Sequence, residues 1–396
     1  MVFMRLVTKI KLLSSLQQKS SLKETLERCA DVCNFVSSIV YSSGNSSFID
    51  LQKLLYYDIK EDFSLSAQMT LLCLNKTAND YHSPHFCERH YKKKSAIPFD
   101  DRVLTFFINK KEISIWTVNG RMKIPFAYGE KQRSLLEKRV GQSDLVFENN
   151  EFFLLVGYEE KEKTPDSPQD FLGVDLGIKK LAVDSEGEIF TGDQVEKKRK
   201  QYARHRKYLQ KINSKNAKRA LCKLRKEEKN YKQTQNHEIS KTIVLKAEGT
   251  QFGIALEDLS GIQEGTTVRK KNRNMVTSWS FGQLRGFIEY KAKLHGVVVV
   301  IVDPRNTSRR CPKCGYTNKK NRKSQAEFCC GQCGYFENAD FVGALNIRQK
   351  ARISYGWDAI RSEEALSAGL SQSTSDSALL KRLELQLKLS PLGESS

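Results

Sequence analysis

Three acidic residues lie at the ends of apolar segments, where a carboxylate is costly to bury without a partner. Asp175 ends the segment Phe-Leu-Gly-Val-Asp, and Glu257 ends the segment Phe-Gly-Ile-Ala-Leu-Glu. Asp340 begins the segment Asp-Phe-Val-Gly-Ala-Leu-Asn-Ile, which has the spacing of a helix. A buried carboxylate needs a counter-charge or a metal ion, so these positions indicate a polar site. Asp258 follows Glu257 directly and is the alternative ligand at that point.

If these three acids converge, their chemistry is that of a divalent cation site. Neighbouring carboxylates repel one another, and a divalent cation relieves the repulsion. Oxygen ligands favour Mg²⁺ or Mn²⁺. Two such ions can clamp a scissile phosphate, with Asp175 bridging both and with Glu257 and Asp340 each completing one. The three acids are therefore the predicted catalytic residues of a metal-dependent phosphodiester reaction.

The elements around the acids follow the order of a ribonuclease H-like sheet. Three strands joined in hairpins precede a long helical region, a fourth strand, a helix, a fifth strand and a final helix. The predicted elements are 171–176, 180–183, 188–191, 194–248, 251–256, 279–295, 297–302 and 340–352. In such a sheet the first and fourth strands are neighbours, and the last helix crosses their ends. This arrangement predicts that the three acids surround one point.

Two Cys-x-x-Cys knuckles interrupt this pattern. Cys311-Pro-Lys-Cys314-Gly and Cys330-Gly-Gln-Cys333-Gly are separated by 15 residues. That spacing is typical of a structural zinc site, in which four thiolates close the tetrahedron. A redox dithiol is the other class of site that the motif allows. Cys329 is the competing ligand, and the Cys-x-x-Cys spacing favours Cys330.

The helical region after the third strand is strongly basic. Residues 191–235 contain 16 Lys or Arg and 4 Asp or Glu, with three tyrosines interleaved. A helical face with so little acidic balance repels itself, so a phosphate backbone is the expected partner, although a solvated face is the alternative. Segments 269–273 and 319–323 are further basic candidates. The predicted nucleic-acid contacts are Arg204, Arg206, Lys207, Lys211, Lys218, Arg219, Lys270 and Arg273.

Composition agrees with a nucleic-acid partner. The 396 residues carry a net charge of +20, and such an excess is commonly neutralised by a polyanion. The longest apolar run, Val297–Val302, has the length of a strand rather than of a membrane span. The first residues alternate apolar and charged types, which is unlike a signal peptide. A reducing, cytoplasmic location is therefore expected, and the ten cysteines are interpreted as thiols or metal ligands.

The first 160 residues have a different pattern, with helices inserted into a set of strands. A strand at 7–12 precedes a helix that a capping box at Ser21 and Glu24 would open, and helical spacing continues over 48–81. Alternating apolar residues then predict strands at 102–108, 112–118 and 121–126. We interpret this half as a β-barrel-like module with a helical insert at about 20–100.

The motifs of the second half resemble the TnpB family, transposon-encoded proteins whose relatives include the compact type V CRISPR effectors. The resemblance is specific over about 171–352. It is carried by the knuckles and by Gly-Val-Asp175-Leu-Gly-Ile, Leu-Glu257-Asp-Leu, Trp279-Ser-Phe-Gly-Gln-Leu, Tyr290-Lys-Ala, Asn306-Thr-Ser-Arg-Arg and Asn338-Ala-Asp340-Phe. The chain departs from the family at Val-Gly-Ala (342–344), where Asn-Ala-Ala or a close variant is usual. This departure is not expected to affect metal binding, although it changes the surroundings of the metal ligands.

The resemblance implies an RNA-guided double-stranded DNA endonuclease in a prokaryotic cytoplasm, associated with the nucleoid. The guide RNA would derive from the transposon end, and one monomer would bind one RNA. A short target-adjacent motif would be read on duplex DNA, and the segment after Glu257 would act as a lid. Segment 64–68 resembles the helical segment that contacts this motif in relatives. The candidate motif-reading residues are Tyr56, Ser66, Gln68, Thr70 and Lys76.

These inferences predict a two-lobed α/β protein. Residues 1–160 would form a recognition lobe. Residues 171–305 and 337–352 would form a RuvC-like nuclease domain interrupted by a zinc ribbon at 306–336, and 353–396 would be a partly disordered tail. The expected cofactors are two Mg²⁺ or Mn²⁺ ions and one structural Zn²⁺. The alternatives are an RNA-guided repressor that does not cut, a guide-independent RuvC-type resolvase and a strand-joining transposase, because fold alone does not fix function.

Overall fold

The computed structural model describes residues 2–83, 86–177, 180–191, 193–259, 281–324 and 326–356. The chain divides into two compact units, Met1–Glu162 and Lys163–Ser396. Within the described ranges, every helix is too short or too polar to cross a bilayer. Residues 357–396 of the predicted tail and residues 260–280 after Glu257 lie outside the described residues.

The first unit is built on a seven-stranded antiparallel sheet in the order β2-β6-β7-β1-β5-β4-β3. The strands are β1 (Phe3–Leu12), β2 (Ile97–Phe99), β3 (Leu104–Phe107), β4 (Glu112–Thr117), β5 (Gly120–Ala127), β6 (Arg139–Glu148) and β7 (Glu151–Lys161). The first strand of the chain, β1, is the central strand of this order. Nine register pairs join it to β7. The predicted strands are present, whereas β2 and β6 had no clear alternation in the sequence.

Four helices accompany this sheet. They are α1 (Leu16–Ser43), α2 (Phe48–Asp62), α3 (Ala67–Asp80) and α4 (Glu130–Glu137). The predicted start of α1 was wrong: the capping box is formed by Ser15 and Gln18, and Ser21 lies inside the helix. The predicted helical stretch 48–81 is two helices, because Ser64 adopts a positive φ of 51° and Ser66 caps a new helix. Three inserted helices thus precede strand β2.

The second unit contains a five-stranded sheet in the order β10-β9-β8-β11-β12. Its strands are β8 (Asp170–Asp175), β9 (Lys180–Asp184), β10 (Ile189–Thr191), β11 (Phe252–Glu257) and β12 (Val299–Val302). Strand β11 pairs in parallel with both β8 and β12, and β9 runs antiparallel to β8 and β10. The first and fourth strands of this sheet are therefore neighbours, as the sequence predicted for a ribonuclease H-like fold.

Helices pack on this sheet and a small ribbon interrupts it. The helices are α5 (Asp193–Ile212), α6 (Lys215–Thr250), α7 (Phe281–His295) and α8 (Ala339–Ser354). One core cluster joins β8 and β11 to α6 and α7 through Val174, Leu256, Ile243 and Ile288, all fully or almost fully buried. Between β12 and α8 the ribbon carries a two-stranded sheet of β13 (Glu327–Cys329) and β14 (Phe336–Asn338). The mixed α/β fold with a four-cysteine ribbon is as predicted.

Candidate nuclease site

Two of the three predicted acids end adjacent parallel strands. Asp175 is the last residue of β8, and Glu257 is the last residue of β11. The register pairs Val174 with Leu256, so the two acids occupy the next position on neighbouring strands. Neighbouring strands lie about 4.8 Å apart, which places both carboxylates at one edge of the sheet.

Helix α8 brings the third acid to the same edge. Asp340 lies in its first turn, where Asn338 caps the helix by accepting a hydrogen bond from the Asp340 amide at 3.1 Å. The helix can rest directly on β8 because Gly173 has no side chain. A Cβ atom at Gly173 would meet the Ala344 carbonyl oxygen and would lie 2.6 Å from the Arg348 amide nitrogen. The small residue therefore sets how closely α8, and Asp340 with it, approaches the strand of Asp175.

The other end of β8 fixes the same helix by charge. Asp170 accepts hydrogen bonds from Arg348 and from Arg352, whose Nε lies 2.7 Å from Asp170 Oδ1. Burial disfavours the charged carboxylate, but the hydrogen bonds from Arg352 and Arg348 prevail and hold the pKa of Asp170 below its ordinary value. An ion pair at the start of β8 and a glycine contact in its middle thus position the helix that carries Asp340.

The charges of the other two acids act on Asp175. Burial raises the pKa of Asp175 to about 7, and the charges of Glu257 and Asp340 add to this rise. Burial also raises the pKa of Glu257. These shifts mean that the site disfavours three ionised carboxylates, which is the condition that a divalent cation relieves. An all-oxygen donor set fits Mg²⁺ or Mn²⁺. The three carboxylates are more widely spaced than the four sulfur atoms of the ribbon, which form the one compact group of three or more ligands among the described residues.

Basic and polar side chains oppose these shifts. Arg322 of the ribbon places Nη2 3.6 Å from Asp340 Oδ1, and its charge lowers the pKa of Asp175 and of Glu257. Lys180, the first residue of β9, lies 3.6 Å from the other oxygen of Asp340. Neither partner of Asp340 was assigned from the sequence. Arg322 belonged to a run of basic residues considered for phosphate contact, and 18 positions separate it from Asp340 with no periodicity to link them.

Asp258, the alternative to Glu257, has a different partner. Its Oδ1 lies 3.0 Å from Arg285 Nη1 in helix α7, and its side chain is 45% exposed. The pKa of Glu257, by contrast, is lowered against the effect of burial by Thr307 and by the charges of Lys350 and Arg322. The structure therefore places Glu257 in the electrostatic neighbourhood of Arg322, while Asp258 pairs with Arg285.

The ribbon brings the four predicted cysteine sulfurs together. All lie within 4.8 Å of one another, with Cys311 Sγ 3.6 Å from Cys333 Sγ and Cys314 Sγ 3.5 Å from Cys330 Sγ. Gly315 and Gly334 follow the knuckles with φ of 77° and 70°, so each turn has the left-handed backbone that glycine favours.

The arrangement fits a structural zinc site of four thiolates. The backbone amide of Cys333 points at the Cys330 sulfur from 3.5 Å and lowers the pKa of that thiol. Hydrogen bonds to sulfur are expected around a zinc thiolate, because they stabilise its negative charge. Cys329 lies in β13 and is not a member of the four-sulfur group.

The basic region forms the two helices α5 and α6, which pack antiparallel through a small core of Leu209, Ala217 and Leu224. Five of the predicted contacts have exposed side chains and no ion pair with a described carboxylate, namely Arg204, Lys207, Lys211, Lys218 and Arg219. Arg206 differs, since its guanidinium pairs with Glu228 of α6, a largely buried carboxylate. Arg206 therefore also joins the two helices. Lys270 and Arg273 lie outside the described residues.

The predicted motif-reading residues of the first unit are mostly engaged by their own surroundings. Thr70 is fully buried and donates to the Ser66 carbonyl at 3.2 Å, so its assignment as a base-reading residue is wrong. Ser66 caps α3 by accepting a hydrogen bond from the Met69 amide. The sequence alone did not show which face of α3 is buried.

Three candidates keep polar groups nearer the surface. Gln68 donates to Asp100 at 2.5 Å and accepts from Arg102 at 2.9 Å. Lys76 lies 3.3 Å from Asp80 in an ion pair one helical turn away. The Tyr56 ring packs edge-on against that of Tyr57, with centroids 5.2 Å apart. Gln68 and Arg102 together present both hydrogen-bond donors and an acceptor.

Two family models match the second half of the chain. The OrfB_IS605 family, described as "Probable transposase", matches residues 154–246, and the "Cas12f1-like, TNB domain" family matches residues 281–347. The second match spans α7, β12, the ribbon and the start of α8. Both agree with the resemblance to the TnpB family and the compact type V effectors that the motifs indicated.

Curated relatives carry names from the same two groups. A CRISPR-associated endodeoxyribonuclease Cas12f1 of Syntrophomonas palmitatica is 34% identical over 198 residues, which are 46% of this chain and 39% of that protein. A TnpB-like protein of Methanocaldococcus jannaschii is 36% identical over 117 residues, which are 29% of this chain and 41% of that protein. The chain thus spans less than half the length of these relatives. Their names confirm the resemblance to the TnpB family.

A solved structure shares the fold over most of the chain. A cryo-EM structure of a Cas12f1-sgRNA-target DNA complex matches with a TM-score of 0.63 and 16% identity, and the match covers 84% of this chain and 83% of that one. At this level of identity, the likeness shows that the two chains have the same fold.

Proposed function

We propose that this relative of the TnpB and Cas12f proteins is an RNA-guided double-stranded DNA endonuclease that depends on Mg²⁺ or Mn²⁺. The observation that carries the proposal is the position of Asp175. It is a half-buried carboxylate at a strand end, with Glu257 on the adjacent strand and Asp340 on the crossing helix; desolvation and the charges of these two acids raise its pKa. Carboxylates held in this unfavourable state are characteristic of functional sites.

The three acids would hold the metal ions, with Asp175 shared and with Glu257 and Asp340 completing one ion each. When bound, a pair of divalent ions supplies an activated water and stabilises the leaving 3′ oxygen. The protein's own contribution is positioning. Lys180 and Arg322 approach Asp340 from two elements, and the Arg322 guanidinium is placed to donate to a phosphate oxygen at the acids.

The basic face of α5 and α6 would hold the RNA or the RNA–DNA heteroduplex. A guide reads the target by base pairing, so the protein needs contacts to the backbone rather than to the sequence. Exposed Lys and Arg without carboxylate partners suit that role. The guide, made from the end of a transposon, would bind one monomer. The protein's prokaryotic relatives and its positive charge support an association with the nucleoid.

The domain assignment follows the same logic. We assign recognition of a short duplex motif to the unit Met1–Glu162, with Gln68, Lys76, Ser66 and Tyr56 as candidates. Cutting is assigned to the ribonuclease H-like sheet, and the zinc ribbon carries Arg322 to it. The name endodeoxyribonuclease of one relative supports the cutting activity.

A second candidate function is strand joining by a transposase. The description of the OrfB_IS605 family favours it, and the same three acids would serve it. The two reactions differ in their products. Hydrolysis leaves free ends on the target, whereas strand joining links a donor 3′ hydroxyl to the target. An RNA-guided repressor without cleavage would give neither product.

The test is to change the guide and follow the cut. The protein is purified with its RNA, the RNA is sequenced, and the complex is rebuilt with two guides that differ in their targeting segment. Each complex is given both target plasmids with Mg²⁺. We expect linear DNA from the matching plasmid alone. Cutting without RNA would support a guide-independent nuclease, and joined products would support the transposase.

A further inference from the structure

A basic pocket of about 310 Å³ lies near Glu257 in the second unit. Its walls include Arg305, Thr307, Arg310, Asn346 and Lys350. The loop that supplies the first three of these residues directly follows β12, whose last residue, Val302, is the register partner of Glu257. The charge of Lys350 also lowers the pKa of the Glu257 carboxyl, so the pocket and this acid are neighbours.

The positive charge of this pocket is only partly compensated, by the ion pair of Arg305 with Asp303 at 3.7 Å. Arg310 forms no ion pair with a described carboxylate, and its guanidinium lies against the turn at Gly315. Lys350 uses its ammonium group on two backbone carbonyls, those of Asp303 at 2.7 Å and Arg305 at 2.6 Å, so its charge is not neutralised there. A concave surface with these properties attracts an anion.

The pocket is also preformed. The Asn346 side chain is 2% exposed, and its amide nitrogen donates to the carbonyls of Thr307 at 2.6 Å and Arg310 at 2.8 Å. These bonds tie the loop before the ribbon to helix α8. The Asn346 Oδ1 atom is buried and has no partner among the described residues, so this wall retains an acceptor that a water or a ligand donor can satisfy.

We propose that this pocket binds a phosphodiester group of the DNA strand next to the bond that is cut, with Arg310 as the principal contact. The proposal rests on the proposed nuclease function and adds to it a second phosphate site. A phosphodiester carries one negative charge and two free oxygens, which the planar guanidinium of an arginine matches with paired donors. Anchoring the neighbouring phosphate would align the strand with Asp175 and Glu257, which is how positioning lowers a reaction barrier.

The adjacent residue offers a matched control. Arg309 is exposed and is not part of the pocket wall, so Arg309→Gln removes the same charge one position away. Arg310→Gln should slow target cleavage about tenfold, and Arg310→Lys should recover part of the loss. Arg309→Gln should cut like the wild type. Equal zinc content and equal guide-RNA affinity in all variants would show that the ribbon and the RNA site are intact.

The phosphate that Arg310 contacts can be located with a series of target DNAs. Each carries one neutral methylphosphonate, placed at a different position around the cut. We expect the wild type to lose about tenfold at one phosphate, and we expect Arg310→Gln to lose nothing further at that position. Additive losses at every position, or an Arg310→Gln variant that behaves as Arg309→Gln does, would overturn the pocket assignment while leaving the nuclease intact. Weaker guide-RNA binding in Arg310→Gln would overturn it in favour of an RNA phosphate. A wild type that cuts no DNA would instead refute the proposed function.

Discussion

The carboxylate of Asp175 lies directly against Gly343 of helix α8, so that a Cβ atom at Gly343 would lie 2.6 Å from Asp175 Oδ2. Such a distance is too short for a real contact, and a side chain at 343 would turn the carboxylate away. This is the segment Val-Gly-Ala in which the sequence departs from the TnpB pattern. The departure therefore concerns the acid at the centre of the proposed site.

Gly343→Ala should raise the Mg²⁺ concentration needed for half-maximal cleavage several-fold, because it displaces the Asp175 carboxylate. Gly286→Ala is the matched control, since Gly286 is also helical and has open space around its Cβ position. Both changes replace a helical glycine and should stabilise the helix by about 0.5–1 kcal/mol, less any cost of displacing Asp175. A magnesium titration of cleavage for the three proteins checks this. Identical titrations would show that Asp175 does not need its place against Gly343.

The raised pKa of Asp175 predicts how stability depends on pH without added divalent ions. The folded pKa, about 7, lies above the ordinary value of 3.8, so the folded protein holds a proton that the unfolded chain releases. This contribution is fully present below the ordinary value and is lost as the pH rises through 7. Asp175→Asn should therefore unfold at a higher temperature than the wild type at pH 8, with a smaller difference at pH 5.

The effect has a limit and a control. One pKa unit corresponds to about 1.36 kcal/mol, so the shift limits the gain at pH 8 to roughly 4 kcal/mol. Asp166→Asn changes an exposed acid of the segment before β8 and should leave the pH dependence as it is. Thermal unfolding between pH 5 and pH 8 provides the measurement. If the unfolding temperatures of the wild type and Asp175→Asn changed with pH in parallel, the raised pKa of Asp175 would be contradicted.

The zinc ribbon predicts different results for two adjacent cysteines. Cys330→Ser should lose zinc and lower the unfolding temperature, because metal binding is coupled to the folding of the ribbon. Cys329→Ser should keep about one zinc per chain, since Cys329 is outside the four-sulfur group. Elemental analysis and thermal unfolding of both variants check this. Equal zinc loss in the two would reject the assignment of Cys330.

The basic helices predict a change in salt dependence. Replacing Lys207, Lys211 and Lys218 with Glu should weaken RNA binding and should lower the slope of log affinity against log salt by roughly 2 to 3. Arg206→Ala should instead lower stability modestly, because it removes the ion pair between the two helices, while Glu228 keeps Lys232 as a partner on its own helix. Binding measured from low to high salt separates the two effects. An unchanged slope in the triple variant would show that this face is only solvated.

The sequence predicted the sheet order because it follows from period-two apolar segments and from strand topology. It did not predict β2 or β6, whose residues alternate weakly, or the start of α1, where Ser15 forms the capping box six residues before Ser21. Burial and long-range pairing could not be predicted for the candidate sites. Thr70 has a suitable side chain but lies in a helix core, and Arg206 pairs with Glu228. The approach of Lys180 and Arg322 to Asp340 depends on long-range contacts that no local pattern encodes.

The most direct measurement compares the wild type with Asp175→Asn in one guide-RNA complex. Both complexes are assembled with the same RNA and tested on the same target plasmid, first for binding and then for cleavage with Mg²⁺. We expect equal target affinity, linear plasmid from the wild type, and a rate at least about 10³-fold lower for Asp175→Asn, because the shared ligand of the metal site is lost. Chelation should stop the wild type, and Mg²⁺ alone should restore it. Cleavage by Asp175→Asn at a near wild-type rate would contradict the account.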